Sequence, residues 1–156
     1  EIMPSLVGSE MCIRDRDWGC GSFGALIGAG ARQAVTMAAK DELGRHGEEQ
    51  AVRYLTGIGY EVLDRNWRCA QGEIDIVACR GRHLAVVEVK TRRTIAHGHP
   101  FEAVDARKVR RLWQLAHAWA ADHPDQAGGL MIRIEAIGII GADPAHSTLE
   151  HLMDVS

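Results

Sequence analysis

The apolar positions of the chain change period along its length. Leu43, Ala51, Tyr54 and Leu55 recur at helical spacing and run into Gly57 and Gly59, which predicts a helix over about 39–57. The run Tyr60-Glu-Val-Leu-Asp-Arg-Asn-Trp has strand composition. In 72–79, Ile74, Ile76 and Ala78 alternate with Glu73, Asp75 and Val77, and 84–91 is a valine-rich third strand. Pro100 precedes a long amphipathic helix reaching about Asp122. Its core stripe is Val109, Leu112, Ala116 and Trp119, with Arg107, Arg111 and Gln114 on the other side. A loop over 124–129 leads into a last strand over 130–140. The order α-β-β-β-α-β, without an internal repeat, predicts an α/β (α+β) fold with helices packed on a mixed central sheet.

The two middle strands carry the candidate chemistry. Gly81-Arg82 fits a two-residue type II′ hairpin loop. Leu84 then faces Cys79, Val86 faces Val77, Glu88 faces Asp75, and Lys90 faces Glu73. Side chains alternate along a strand, so these pairs share one face, while Ile74, Ile76, Val87 and Val89 fill the core on the other. Facing residues have Cβ atoms roughly 5 Å apart. Two carboxylates so placed repel, and a bound cation reverses the sign. Mg²⁺ takes one or two carboxylates and completes its shell with waters and phosphate oxygens. Lys90, two residues on, can neutralise a phosphoryl oxygen or orient an attacking water. Charged residues on strands are more often the solvated face of a sheet, and for Glu73 with Lys90 alone that reading is favoured. Glu88 sits inside Val86-Val-Glu-Val, where a charge needs a reason. Spacing alone leaves the two readings evenly balanced.

Composition narrows the setting. The chain has 156 residues, 46% hydrophobic and 25% charged, which suits one soluble domain with a real core. Its net charge of −3 means that nucleic-acid contact must come from a local basic patch. Cys12, Cys20, Cys69 and Cys79 form no C-x-x-C pair or zinc-like spacing and read as reduced thiols of a cytoplasmic protein. No apolar run approaches the roughly 20 residues of a membrane span, and 23–31 lacks the apolar core of a signal peptide. The run from Glu1 to Arg16 has neither period and looks like translated sequencing-adapter sequence, and a Gly/Ala-rich stretch follows it up to residue 36. They are expected to be a disordered, non-native extension, with the folded domain over 37–156.

At this point a family pattern emerges. Gly44-x-x-Gly-Glu-x-x-Ala-x-x-Tyr-Leu is followed by Gly59-Tyr, Leu63-x-Arg-Asn-Trp-Arg and Gly72-Glu-Ile-Asp-Ile-Val-Ala. Then come Val87-Glu-Val-Lys-Thr-Arg, Phe101-Glu-Ala-Val, Lys108 and Arg111-Leu. In this order the motifs resemble the bacterial YraN family over 44–141. That family is endonuclease-like and is similar to the archaeal Holliday-junction resolvases, within the PD-(D/E)xK restriction-endonuclease-like fold. The resemblance implies that Asp75 and Glu88 are ligands of Mg²⁺ or Mn²⁺ and that Lys90 is the catalytic lysine. It further implies that Glu48 approaches the metal from the first helix and that Val89 lends its main-chain carbonyl. It leaves the role of Glu73 open. Ile74 stands where the superfamily has its proline. Glu135, in Arg133-Ile-Glu, stands where the family usually has Asp, outside the metal cluster, and is expected to matter little.

Other charged and aromatic residues bear on the partner. Arg92, Arg93, Arg107, Lys108, Arg110 and Arg111 put six positive charges near the site, with Arg65 and Arg68 beyond them. On the helix alone they read as a solvated face. Clustered after the active strand, Arg68, Arg92, Arg93, Lys108 and Arg111 point to contact with a nucleic-acid backbone, without a base-reading motif. Trp67, Trp113 and Trp119 could stack on bases, but helical spacing makes Trp119 a core residue, and Trp67 is an alternative clamp for the strand edge. His97-Gly-His99 lacks a third ligand and reads as a mobile loop, while Gly24–Gly30 follows no strand and is no nucleotide loop. The expected activity is metal-dependent hydrolysis of DNA, with branched DNA as a candidate substrate. The alternatives are a nucleic-acid-binding module that keeps the fold without cutting, and a protein-interaction scaffold. Resolvase relatives act as dimers because two strands need cutting, so a homodimer is a candidate state, although no self-complementary apolar face marks one.

Overall fold

The first helix forms because its apolar positions meet at one face, and it stops at a glycine. A computed structural model describes residues 28–141, 143 and 145–155. In it, α1 spans Gly28–Gly57 and so begins eleven residues before the expected start. Gly59, at φ 90°, turns the chain, and the Tyr60 N–H returns to the Leu55 carbonyl at 2.9 Å. Of the expected extension over 1–36, residues 1–27 lie outside the described residues and the remainder belongs to α1.

The strands are β1 (Glu61–Cys69), β2 (Gly72–Arg80), β3 (His83–Arg92), β4 (Met131–Ile140) and β5 (Thr148–Leu152). They lie in that order in one five-stranded sheet. The pairs β1–β2, β2–β3 and β4–β5 are antiparallel and β3–β4 is parallel, so the sheet is mixed. A parallel pair needs a crossover, and α2 (Ala106–Asp122) provides it. Asp105 caps α2 by accepting the Lys108 N–H at 2.7 Å. Pro100–Ala103 forms a separate 3₁₀ turn before it. The expected loop after α2 contains the single turn α3 (Pro124–Ala127). β5 was not anticipated. No β5 residue is buried as a whole, so the apolar signal is weak.

Both faces of the sheet are interior, which corrects the expectation of one core face. Under α1, Ala51 and Leu55 pack with Ile76, Ala78, Val87, Val89 and Ile137. Under α2, Leu112, Leu115, Ala116 and Trp119 pack with Val77, Leu84, Val86 and Ile134. Ile74 joins this second layer, away from Ile76. The crossover helix therefore covers the face that bears Glu88. Trp119 is fully buried and its indole N–H donates to Asp64 at 3.0 Å, as its core position predicts.

The hairpin register is the expected one for Val77 with Val86 and Cys79 with Leu84, closed by Arg80 with His83. Gly81 has φ 61° and Arg82 does not have positive φ, as a type II′ loop requires. The ladder ends at Ile76–Val87, so Asp75–Glu88 and Glu73–Lys90 are not ladder partners. From Asp75 back to Gly72, β2 stays with β1, while β3 continues beside β4 to Arg92. The two middle strands fork, and the candidate residues stand at the fork.

Candidate functional site

Asp75 fills the fork. Its Oδ2 accepts the Val89 N–H at 2.8 Å, taking a main-chain donor that β2 no longer serves. The N–H and C=O of a strand residue point to the same neighbour, so the Val89 carbonyl is directed to the same gap. Burial, and then the charge of Glu88, push the Asp75 carboxyl up to about 6. The Val89 hydrogen bond and Lys90 oppose the shift, and Glu48 adds to it.

Glu88 is 1% exposed. Its Oε1 lies 2.6 Å from the Lys90 ammonium and its Oε2 lies 2.8 Å from that of Lys108. The Lys108 contact is an ion pair outside hydrogen-bonding geometry, so Oε2 has no hydrogen-bond donor among the described residues. Burial works against the charge on Lys90. The charge and hydrogen bond of Glu88, with Asp75 and Glu73, outweigh it and hold Lys90 above the ordinary lysine range. Lys90 is therefore a fixed cation at neutral pH. Glu73 is exposed and pairs with Arg68 at 3.2 Å, so its part at the site is to add negative charge near Lys90.

Glu48 reaches the fork from α1. A Cβ at Gly47 would overlap the Thr91 hydroxyl, so glycine is what lets α1 lie this close to β3. The Glu48 carboxylate accepts the Asn66 side-chain N–H at 2.9 Å. Asn66 has φ 54° and sits between the pairs Arg65–Ile76 and Trp67–Ile74, opposite Asp75. Asparagine tolerates this left-handed conformation better than most residues. Asn66 and Gly47 stood inside the quoted motifs, but nothing in their spacing revealed these roles.

The donors suit a hard divalent cation. Asp75, Glu88 and the Val89 carbonyl supply oxygen ligands, and two carboxylates are as many as Mg²⁺ ordinarily takes from a protein. Burial, and then the neighbouring Glu88 carboxylate, both work against a bare negative charge on Asp75. In the observed arrangement, Glu88 faces two lysines and Glu48 faces Asn66. Among the described residues no three His, Cys, Asp or Glu side chains converge as a ready-made metal cage.

The basic residues divide. Arg111 donates twice to the Gln71 carbonyl, at 3.1 and 2.9 Å, and passes over Gly72 so closely that a side chain there would strike its guanidinium. With Arg68, Cys69 and Glu73 it lines an open recess of about 300 Å³. Arg93, Arg107 and Arg110 are exposed and Arg92 is half-buried. Lys108, expected on a nucleic-acid surface, instead faces the interior carboxylate Glu88. Trp67 and Trp113 are half-buried against the α2 layer. The His97-Gly-His99 segment joins the 3₁₀ turns Ile95–His97 and Pro100–Ala103, and the His99 ring accepts the Phe101 N–H and meets Glu150 at 3.4 Å. The side chain of His97, like Cys12, Cys20 and Gly24, lies outside the described residues. Cys69 and Cys79 are free thiols.

A second buried carboxylate lies outside the fork. Glu135 is fully buried on the α1 face, accepts the Tyr60 hydroxyl at 3.1 and 3.2 Å, and lies 2.9 Å from the His151 Nε2. Burial, and then the charge of Glu135, raise the Tyr60 phenol. The trio ties β5 and the residue that leads into β1 to β4.

Fold and site define the class first: an α+β protein with a mixed sheet between helices and a charged carboxylate–lysine fork inside it. The chain belongs to uncharacterised protein family UPF0102, the YraN family, whose model matches residues 47–139. It is 47% identical over 119 residues to a UPF0102 protein of Arthrobacter sp. (strain FB24), covering 76% of this chain and 99% of that one. A UPF0102 protein of Paenarthrobacter aurescens is 48% identical over 121 residues, covering 78% and 98%. One of Kineococcus radiotolerans is 43% identical over 122 residues, covering 78% and 99%. Among the described residues no helix is long and apolar enough to cross a membrane.

Proposed function

We propose that this protein is a metal-dependent endonuclease that hydrolyses DNA phosphodiester bonds, with branched or junction DNA as its preferred form, acting in the cytoplasm as a homodimer. The observation that carries the reading is Glu88, a buried carboxylate sharing a strand fork with Asp75 and bonded to the permanently charged Lys90. Asp75, Glu88 and the Val89 carbonyl would hold the cation, with Glu48 as a further carboxylate. Mg²⁺ or Mn²⁺ bound there would supply Lewis-acid activation of the phosphoryl group and of water.

The residues of the chain do the rest. Lys90, held charged by Glu88, would offset charge that develops on the phosphoryl oxygens. Asn66 holds Glu48 in place through its hydrogen bond. The recess between Arg68 and Arg111, with Arg92 at the end of β3 and Arg93 just beyond it, would receive the phosphate backbone and place the scissile bond at the fork.

The ion pair of Glu88 with Lys108 favours a second reading, a DNA-binding protein that keeps the fold without cutting. The discriminating experiment is cleavage of four-way junction, flap and single-stranded DNA with Mg²⁺ or Mn²⁺. The nuclease reading expects cutting by the wild type and none by Lys90→Ala. Equal activity of the two removes the site assignment. Salt-dependent DNA binding without cutting, retained in Asp75→Ala, supports the second reading.

A further inference from the structure

We infer that Lys108 is the resident counter-cation of Glu88 and is exchanged for the divalent cation when the site loads, so the first turn of α2 reports the state of the fork. The inference rests on the metal-site reading above and concerns a residue to which that reading gives no role.

Glu88 is buried, so it requires compensation. Two ammonium groups supply it, one on each oxygen, and they are not equivalent. Lys90 extends from the same strand, makes a hydrogen-bonded pair with Oε1, and also senses Asp75 and Glu73. Lys108 arrives from another element on a long stem, is 29% exposed, and meets Oε2 outside hydrogen-bonding geometry. The Oε2 that the Lys108 ammonium faces at 2.8 Å is the oxygen a cation would need from Glu88, so coordination through Oε2 requires Lys108 to leave. The released ammonium remains on the first turn of α2, next to where a bound phosphate would lie.

The test is isothermal titration of the full chain with Mn²⁺ alone, comparing wild type, Lys108→Met and Lys108→Arg. Competition predicts that Lys108→Met binds Mn²⁺ about tenfold more tightly, while Lys108→Arg stays within about twofold of wild type. Should Lys108→Met fail to fold, Lys108→Gln serves with the same expectation. A lysine that only contacts substrate, or only supports the fold, would leave the affinity unchanged or lower it, and either result overturns the inference. Mn²⁺ binding that is equal in wild type and Lys108→Met removes the exchange and leaves the metal site standing. Absence of Mn²⁺ binding in all variants removes both.

Discussion

Glu88 and Glu135 are two fully buried carboxylates on neighbouring strands, and they face opposite layers of the molecule. Glu135 meets the Tyr60 hydroxyl and the His151 ring, which is 4% exposed, inside the layer under α1. Its partners tie distant parts of the chain together. Glu88 meets the ammonium groups of two lysines whose side chains are 39% and 29% exposed, beside a second carboxylate whose proton affinity is raised. Burial alone does not mark a functional acid. A carboxylate sealed among hydrogen-bond donors stabilises the fold, whereas one held by partly exposed lysines at a strand fork can exchange a partner.

The largest expected effect falls on Asp75. Asp75→Asn keeps the shape of the side chain and removes a metal ligand, so Mn²⁺-dependent cleavage of DNA should fall by about 10³-fold, some 4 kcal/mol of transition-state stabilisation. Initial rates on a DNA substrate check this, and near-wild-type rates would return Asp75 to the structural class with Glu135.

The next effect is in pH. The folded value of Asp75 is raised to about 6 from an unfolded value of 3.8, so the native state binds the proton more tightly. Its contribution to stability is therefore greatest below the unfolded value and declines as pH rises from about 4 to about 6, by on the order of 3 kcal/mol. Chemical denaturation of the metal-free protein at pH 4.5 and pH 7 should show a decline that Asp75→Asn abolishes. A decline that persists in the variant assigns it to another group.

Glu135→Leu should cost about 2 kcal/mol, because the Tyr60 hydroxyl and the His151 ring lose their acceptor. Urea midpoints measure the loss, and the cleavage rate of the folded protein should stay within about threefold of wild type. A collapse of activity at unchanged stability would erase the contrast with Glu88. The smallest effect is at Gly47→Ala, where the added methyl group meets the Thr91 hydroxyl and should cost about 1–2 kcal/mol while shifting Glu48 away from the fork. A variant as stable as wild type would show that the close approach of α1 is not required.

Much of this arrangement was legible from residue order. Gly81 set the loop type, the loop set the register, and the register put Val77 opposite Val86. The α2 stripe was read correctly, with Leu115 added. The fork was not legible, because alternation continues along a strand whether or not its neighbour stays with it. Asp75 was therefore expected as a ladder partner of Glu88 and instead captures the Val89 N–H. The role of Lys108 depends on how α2 crosses the sheet, which helical period does not determine. Glu135 carried the same warning as Glu88, an acid within an apolar strand. Its partners stand 75 and 16 residues away and come together only in the folded sheet.

The contrast between the two acids is tested most directly by measuring Mn²⁺-dependent cleavage of a four-way DNA junction by Glu88→Gln and Glu135→Gln side by side, with folding verified by circular dichroism. The prediction is that Glu88→Gln loses cleavage by at least about 10²-fold while Glu135→Gln retains it within a few-fold. Equal cleavage by both variants and the wild type, or no cleavage by any of the three, would contradict a metal-dependent nuclease site at the fork of β2 and β3.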